Sequence, residues 1–306
     1  MNKETKGTIL ALLTALISGF AVFANKFFVI GTDPTVFTSL RALIIGIAFL
    51  CIMYWQSGFK ADELRKSFSK ANWRYMLAIA VIGGAAAFLL FFTGLQLTTA
   101  GRAAFLHKTL PIYVAVFAYW FLHEKISMKQ TYALIIMMLG TVVMFGSAIE
   151  PAELWTSPLA GDLLVLLATV LWAAENTIAR KAMIKGDTNW IVSFSRMFIG
   201  ALILFGFAGV MGKLGLLLAL APQQVMNISI SAAILFGYIF TWYYSIKLIN
   251  VSKASAILLL APVVSLALGA AFLGEPAQIV QLAGSALILI GAYFVVNIRS
   301  ELAGGV

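Results

Sequence analysis

Residues 106–127 read LHKTLPIYVAVFAYWFLHEKIS, and residues 257–278 read ILLLAPVVSLALGAAFLGEPAQ. An offset of 151 lays one on the other without a gap. It brings Pro111 onto Pro262 and Glu124 onto Glu275 and, further along, Gly140 onto Gly291. Earlier in each half the offset is 155, which brings Gly31 onto Gly186 and Arg41 onto Arg196. The chain therefore reads as a duplication, one unit at 1–150 and a second at 151–306. Each quoted stretch carries an apolar run close to the ~20 residues a helix needs to cross hydrocarbon.

The rest of the chain has the same character. Of its 306 residues 62% are hydrophobic and 11% charged, against roughly 25% charged in an ordinary soluble domain. A soluble fold of this length cannot hide so much apolar surface, and a disordered chain is poor in apolar residues. The bilayer is the solvent for most of the chain. Ten apolar spans follow, at 7–29, 35–56, 75–97, 102–122, 129–148, 160–182, 189–211, 227–247, 254–273 and 277–297. They are too long and too uniformly apolar for barrel strands, so the expected class is all-α. The first run is longer than a signal-peptide core and lacks a cleavage pattern, so it reads as a retained helix.

Lys and Arg number 21 against 12 Asp and Glu, a formal +9. With the N-terminus inside, the inner segments hold Lys3, Lys6, Lys60, Arg65, Lys66, Lys70, Arg74, Lys125, Lys129, Arg180, Lys181, Lys185, Lys247, Lys253 and Arg299, which is 15 of the 21. The outer segments hold Lys26, Arg102 and Lys213, and the loop 149–159 carries Glu150 and Glu153 with no basic residue. Excess positive charge marks the cytoplasmic side. Both termini are thus expected in the cytoplasm and the chain in the inner membrane, and the charge excess does not point to nucleic acid. Cys51 is the single cysteine, so neither an intramolecular disulfide nor a multi-cysteine metal site can form.

Five spans per unit is an odd number, so the second unit enters the membrane upside down. Inverted repeats are typical of secondary transporters that work by alternating access, with the substrate near the midplane where the halves meet. With these features the chain resembles the drug/metabolite transporter superfamily, EamA type. The residues that carry the resemblance close the fourth and ninth spans: Pro111…Glu124-Lys125-Ile126-Ser127-x-x-Gln130 and Pro262…Glu275-Pro276. The resemblance covers essentially the whole chain. It implies two five-helix repeats and a central pathway between spans three, four, eight and nine. It leaves the substrate open among amino acids, other metabolites, nucleotide sugars, sugar phosphates and drugs.

The local chemistry of that pattern is structural in the first place. Ser127-x-x-Gln130 has capping-box spacing for the fifth span. Glu124 is expected to meet that helix's positive end, and Glu275 to sit equivalently before the tenth. Pro111 and Pro262 lie mid-span and should kink or loosen their helices, as hinges or as static packing features.

Ionisable groups inside a membrane are costly and usually functional. Glu175 and Arg196 each lie about 10 Å from the inner face by helical rise. Two readings stand for them. They form a structural ion pair, or Glu175 holds a substrate ammonium or a coupling proton while Arg196 changes partners. Trp172 and Asn176 flank Glu175 and suit a ligand wall. Lys108 and Arg41 lie about 9 Å from the outer face with no acid at that depth. Lys108, beside His107, can hold a carboxylate or can snorkel outward. Its repeat counterpart is Leu259, so its charge does not belong to the duplicated scaffold. Arg41 and Arg196, as repeat mates, read as gate residues or as interface hydrogen bonders. The small-residue stretch Gly83–Ala87 favours close helix approach.

Given the pathway that the resemblance implies, Tyr113, Tyr238, Trp242 and Tyr243 are candidate lining aromatics. Nucleotide-loop, HExxH and GxSxG signatures are missing, so the expectation is a transporter, not an enzyme, with no cofactor and no metal. The expected partners are the lipid bilayer, a small-molecule substrate and, in one reading, a coupling proton. The expected cargo is an exported amino acid or related carboxylate-bearing compound. The alternatives are a proton-coupled multidrug exporter and a non-transporting scaffold or receptor.

Overall fold

The computed structural model describes residues 1–146 and 159–299, and every regular element among them is helical. The loop expected at 149–159, with Glu150 and Glu153, lies outside the described residues except for its last position, as does the boundary between the two units. Ten helices are long and apolar enough to cross a membrane: Lys3–Asn25, Pro34–Gln56, Trp73–Leu97, Gly101–Leu122, Met128–Phe145, Ala160–Ile184, Asn189–Val210, Pro222–Leu248, Val251–Leu273 and Ile279–Asn297. They are spans one to ten below.

Most of the ends fall close to the sequence expectation. Span eight begins five residues earlier than expected, at Pro222. A proline fits a first helical turn, and the Gln224 side chain accepts from the Ala221 N–H. Between spans two and three, where a loop is expected, lies an exposed amphipathic helix, Ala61–Lys70.

The duplication is visible in backbone chemistry. Spans two and seven are capped by Asp33 and Thr188, which are 155 apart. Spans four and nine end in left-handed residues 151 apart, His123 at φ 54° and Gly274 at φ 63°. The next N–H returns to Ala118 in one copy and Gly269 in the other, again 151 apart. Gly31 and Gly186 reverse the chain after spans one and six at φ 75° and 107°, which a side chain would oppose.

The halves interleave instead of packing side by side. Span one packs on span eight and span six on span three; spans two and seven pair, as do five and ten. Span three makes this approach possible. A Cβ at Gly83 would collide with the Glu175 side chain, and one at Gly84 with the Arg196 carbonyl. This segment, Ala80–Ala86, is a π-helix, and a second one, Ser195–Ile199, contains Arg196. Such irregular turns recur at functional sites.

Two expectations change here. Pro111 and Pro262 do not kink continuous helices. Span four is two helices, Ala100–His107 and Leu110–Leu122. Span nine is Val251–Ile257, a tight turn at Leu258–Leu260, then Ala261–Leu273. Each proline occupies the first turn of the second piece, where its missing N–H has no partner to lose.

Glu124 does not serve span five either. Its carboxylate is buried and accepts from the backbone N–H groups of Val251 (2.9 Å) and Ser252 (3.2 Å) and from the Ser252 hydroxyl (2.7 Å). It caps span nine, in the opposite repeat. Ser127 does cap span five, accepting from Gln130 N–H. The Gln130 amide then leaves the expected box and donates to Ser252 at 3.2 Å.

Candidate functional site

A cavity of about 220 Å³ lies where the two repeats meet. It is smaller than the ~300–1,000 Å³ of usual ligand pockets, so it suits a small molecule. Span one contributes Ser18, Ala21 and Asn25, span three Phe88, span four His107, Lys108 and Pro111, and span six Trp172 and Asn176. Span seven adds Arg196, span eight Leu235 and Tyr238, and span nine Leu258 and Leu259.

The break in span four explains how Lys108 reaches the cavity. Its backbone closes the first helical piece, donating to the Ala104 and Phe105 carbonyls. Its side chain therefore leaves from an interruption and not from the flank of a continuous helix. Lys108 makes no ion pair or side-chain hydrogen bond among the described residues. Beside it His107 packs edge-on to Trp172, ring centroids 5.0 Å apart. Phe88 meets the same indole at 5.2 Å. The Trp172 indole is held in place by donating to the Gly83 carbonyl at 3.1 Å.

Behind this wall sits a buried charge cluster. Arg196 Nη1 lies 3.2 Å from Glu175 Oε2 and donates to the Tyr243 hydroxyl at 2.9 Å. That hydroxyl donates to Glu175 Oε1 at 2.5 Å. Glu175 is fully buried and does not line the cavity. Of the two readings of Glu175 and Arg196, the structure holds the ion pair.

Trp242 and Tyr243 are also second in line. Trp242 donates to the Asn176 side-chain oxygen at 2.9 Å, and Tyr243 to Glu175. Tyr113 does not reach the cavity. Of the four candidate aromatics only Tyr238 lines it, stacked parallel to Trp242 at 6.4 Å.

Arg41 has no such cluster. It is buried, its Nη1 lies 3.3 Å from the Ser231 hydroxyl, and its Nε is without a hydrogen-bond partner. The Ser231 hydroxyl donates in turn to Asn25 Oδ1 at 2.9 Å. Arg41 thus touches the cavity through two polar residues that the sequence reading missed. Asn25 could have been noticed as an amide in an apolar span. Its partner Ser231 lies 206 residues away, beyond any local signal.

Polar contacts tie helix ends together on either side of this region. Arg102 and Asp162, in the first turns of spans four and six, form a buried bidentate pair. Arg102 is therefore not a free outer charge. At the other end Glu124 holds span nine, and Arg180 donates to the Ile246 and Lys247 carbonyls that end span eight. Burial pushes the Glu124 carboxyl above the usual glutamate range, against the opposing pull of its three donors and Arg180. Lys253 is wholly buried near the same end, donating to Glu4 and to the Val296 and Ile298 carbonyls. It is not a solvated loop charge. Among the described residues no cluster of His, Cys, Asp and Glu could hold a metal ion.

A model of the EamA-like transporter family matches residues 5–146 and 159–297. A protein of Archaeoglobus fulgidus named "Uncharacterized transporter" is 29% identical over 299 residues, covering 96% of this chain and 100% of that one. A protein of Bacillus subtilis named "Uncharacterized transporter YoaV" is 25% identical over 279 residues, covering 91% of this chain and 92% of that one. A crystal structure at 16% identity superposes with a TM-score of 0.77, covering 94% of this chain and 96% of that one. That last likeness is one of fold alone.

Proposed function

The chain belongs to the EamA-like transporter family, and from that premise we propose that it exports a small carboxylate-bearing metabolite by alternating access. The single observation that carries this reading is Lys108. It is a cation at the break of span four, facing a cavity between inverted repeats, with no acidic partner among the described residues. A half-buried cation inside a membrane span with no counter-charge is costly, and an anionic ligand supplies the missing charge. Phe88, Trp172 and Leu235 offer apolar area to the body of such a molecule. A cationic drug finds no carboxylate there, because Glu175 is committed to Arg196 and Tyr243.

In this reading the protein sits in the inner membrane with both termini in the cytoplasm. On that orientation, the contacts of Glu124 with Val251 and Ser252 and of Arg180 with Ile246 and Lys247 form the closure at the cytoplasmic end. Export requires span nine to leave Glu124. Any proton coupling runs through Glu175, which can take a proton only when its pair with Arg196 opens.

The test is uptake into proteoliposomes of carboxylates, amines and neutral solutes by the native chain and by Lys108→Ala. Loss of carboxylate transport, with partial return in Lys108→Arg, is the expected outcome. Unchanged transport of every solute by Lys108→Ala would end the reading.

A further inference from the structure

We propose that the cavity selects an organic anion whose remaining polar groups are hydrogen-bond acceptors, and that it rejects an ammonium group. This rests on the reading of Lys108 as the carboxylate site and narrows its substrate class from carboxylate-bearing metabolites to ammonium-free acids such as 2-oxo and 2-hydroxy acids.

Hydrogen-bond direction sets the character of the cavity wall. A guanidinium can only donate. The Ser231 oxygen therefore accepts from Arg41, and its own proton goes to Asn25 Oδ1. With that oxygen engaged, the Asn25 amide presents its NH2 group elsewhere, and Asn25 lines the cavity. An indole N–H can likewise only donate. Trp242 thus fixes the Asn176 oxygen at 2.9 Å and leaves the Asn176 NH2 for the same cavity. Neither amide NH2 has a protein acceptor among the described residues.

Two asparagines on different spans are thus turned the same way by two partners on span eight. Lys108 and Arg196 also line the space and are donors by nature. Ser18, His107 and Tyr238 can turn either way, but none brings a negative charge. The charge balance agrees. Arg196 is neutralised by Glu175, whereas Arg41 and Lys108 have no acid among the described residues. A carboxylate meets one uncompensated cation, Lys108, and two amide donors, with Arg41 behind Asn25 through Ser231. An ammonium in the same place meets like charge and donors that it cannot accept from. A 2-oxo or 2-hydroxy oxygen accepts from an asparagine NH2 where a 2-ammonium group would be repelled.

The experiment is binding to the purified full chain, by thermal shift and calorimetry, of two matched sets. One set is 4-methyl-2-oxopentanoate, leucine and 3-methylbutylamine. The other is phenylpyruvate, phenylalanine and 2-phenylethylamine. Each oxo acid is expected to bind more than about tenfold tighter than its amino acid, with no binding by the amine. Equal or tighter binding of the amino acids overturns this inference and leaves the carboxylate reading standing. Binding by the amines alone, or by no acid, overturns both.

A second arm reverses the donors. Asn176→Asp puts an anionic acceptor in the wall and should shift the preference at least about tenfold toward the amino acid. Asn25→Asp repeats the test on the other wall, so a folding failure in one variant leaves the other. An unchanged preference in a folded variant overturns the donor assignment.

Discussion

Arg41 and Arg196 occupy equivalent places in the two repeats and live by different chemistry. Arg196 has a carboxylate at 3.2 Å and a tyrosine hydroxyl at 2.9 Å. Arg41 has a serine at 3.3 Å and the face of Phe37 at 5.1 Å, while both guanidinium groups leave Nε without a partner. At the same offset the counterpart of Glu175 is Phe20. Duplication supplied two buried cations, and only one was given an internal anion. The lesson is that in an inverted repeat the scaffold is symmetric while the charge balance is not. The unbalanced side is where a ligand's charge has a place.

The largest effect should come from breaking the balanced copy. Glu175→Ala leaves Arg196 buried and alone, and should lower stability by about 3–5 kcal/mol in detergent unfolding followed by Trp fluorescence. Arg196→Met added to Glu175→Leu should recover most of that, because a buried pair replaced by apolar groups is often neutral. A mild Glu175→Ala would mean that the pair does not hold in the bilayer.

Next in size is the contact between the repeats. Glu124→Ala strands the Val251 and Ser252 N–H groups and should cost about 1–3 kcal/mol. Span nine is also freed from the opposite half. In a Cys51→Ser background the variant Ser18→Cys should then react faster with an impermeant maleimide applied to the cytoplasmic face. Unchanged labelling would remove Glu124 from any role in inner closure.

The unbalanced copy should respond in the opposite way from the balanced one. Arg41→Met removes a buried charge that has no acidic partner, so stability should hold within about 1 kcal/mol while carboxylate binding weakens. A large loss of stability would mean that Arg41 is structural after all, and the contrast between the two arginines would collapse.

The smallest effect lies at the caps of the same two spans. Asp33 is partly buried, which raises its carboxyl, but Lys213 and the Val36 and Thr35 N–H groups together hold it below the ordinary 3.8. A lowered acid contributes stability above its unfolded value and loses it as pH falls through the folded one. Span two should therefore weaken as the pH falls below about 3.8, by about 0.5 kcal/mol after solvent screening. Span seven, capped by Thr188, has no titrating cap. Asp33→Asn should abolish the pH dependence at that end, read by hydrogen exchange of residues 34–38.

The spans were readable because bilayer thickness sets a length and apolarity that no loop matches. The repeat was readable because prolines, glycines and caps have backbone requirements that survive divergence. Glu175 and Arg196 could be paired from helical rise alone, since both lie seven residues from one short turn. Glu124 was assigned to the wrong helix for a matching reason. Sequence offers only neighbours, and the nearest N-terminus was that of span five, whereas the donors nearest in space are on span nine. The aromatics divide similarly. Tyr238, Trp242 and Tyr243 share a helix, and only the way span eight packs turns Tyr238 to the cavity and the other two to Glu175 and Asn176.

The sequence by itself determined an all-helical membrane chain of two inverted repeats with three cations and one acid at depth, because hydropathy, parity and charge are properties of a linear string. Only the tertiary structure decided which cation keeps the acid and which way Asn25 and Asn176 face. Those outcomes depend on hydrogen-bond partners 66 to 206 residues away, and a donor's direction is set by the group opposite it in space.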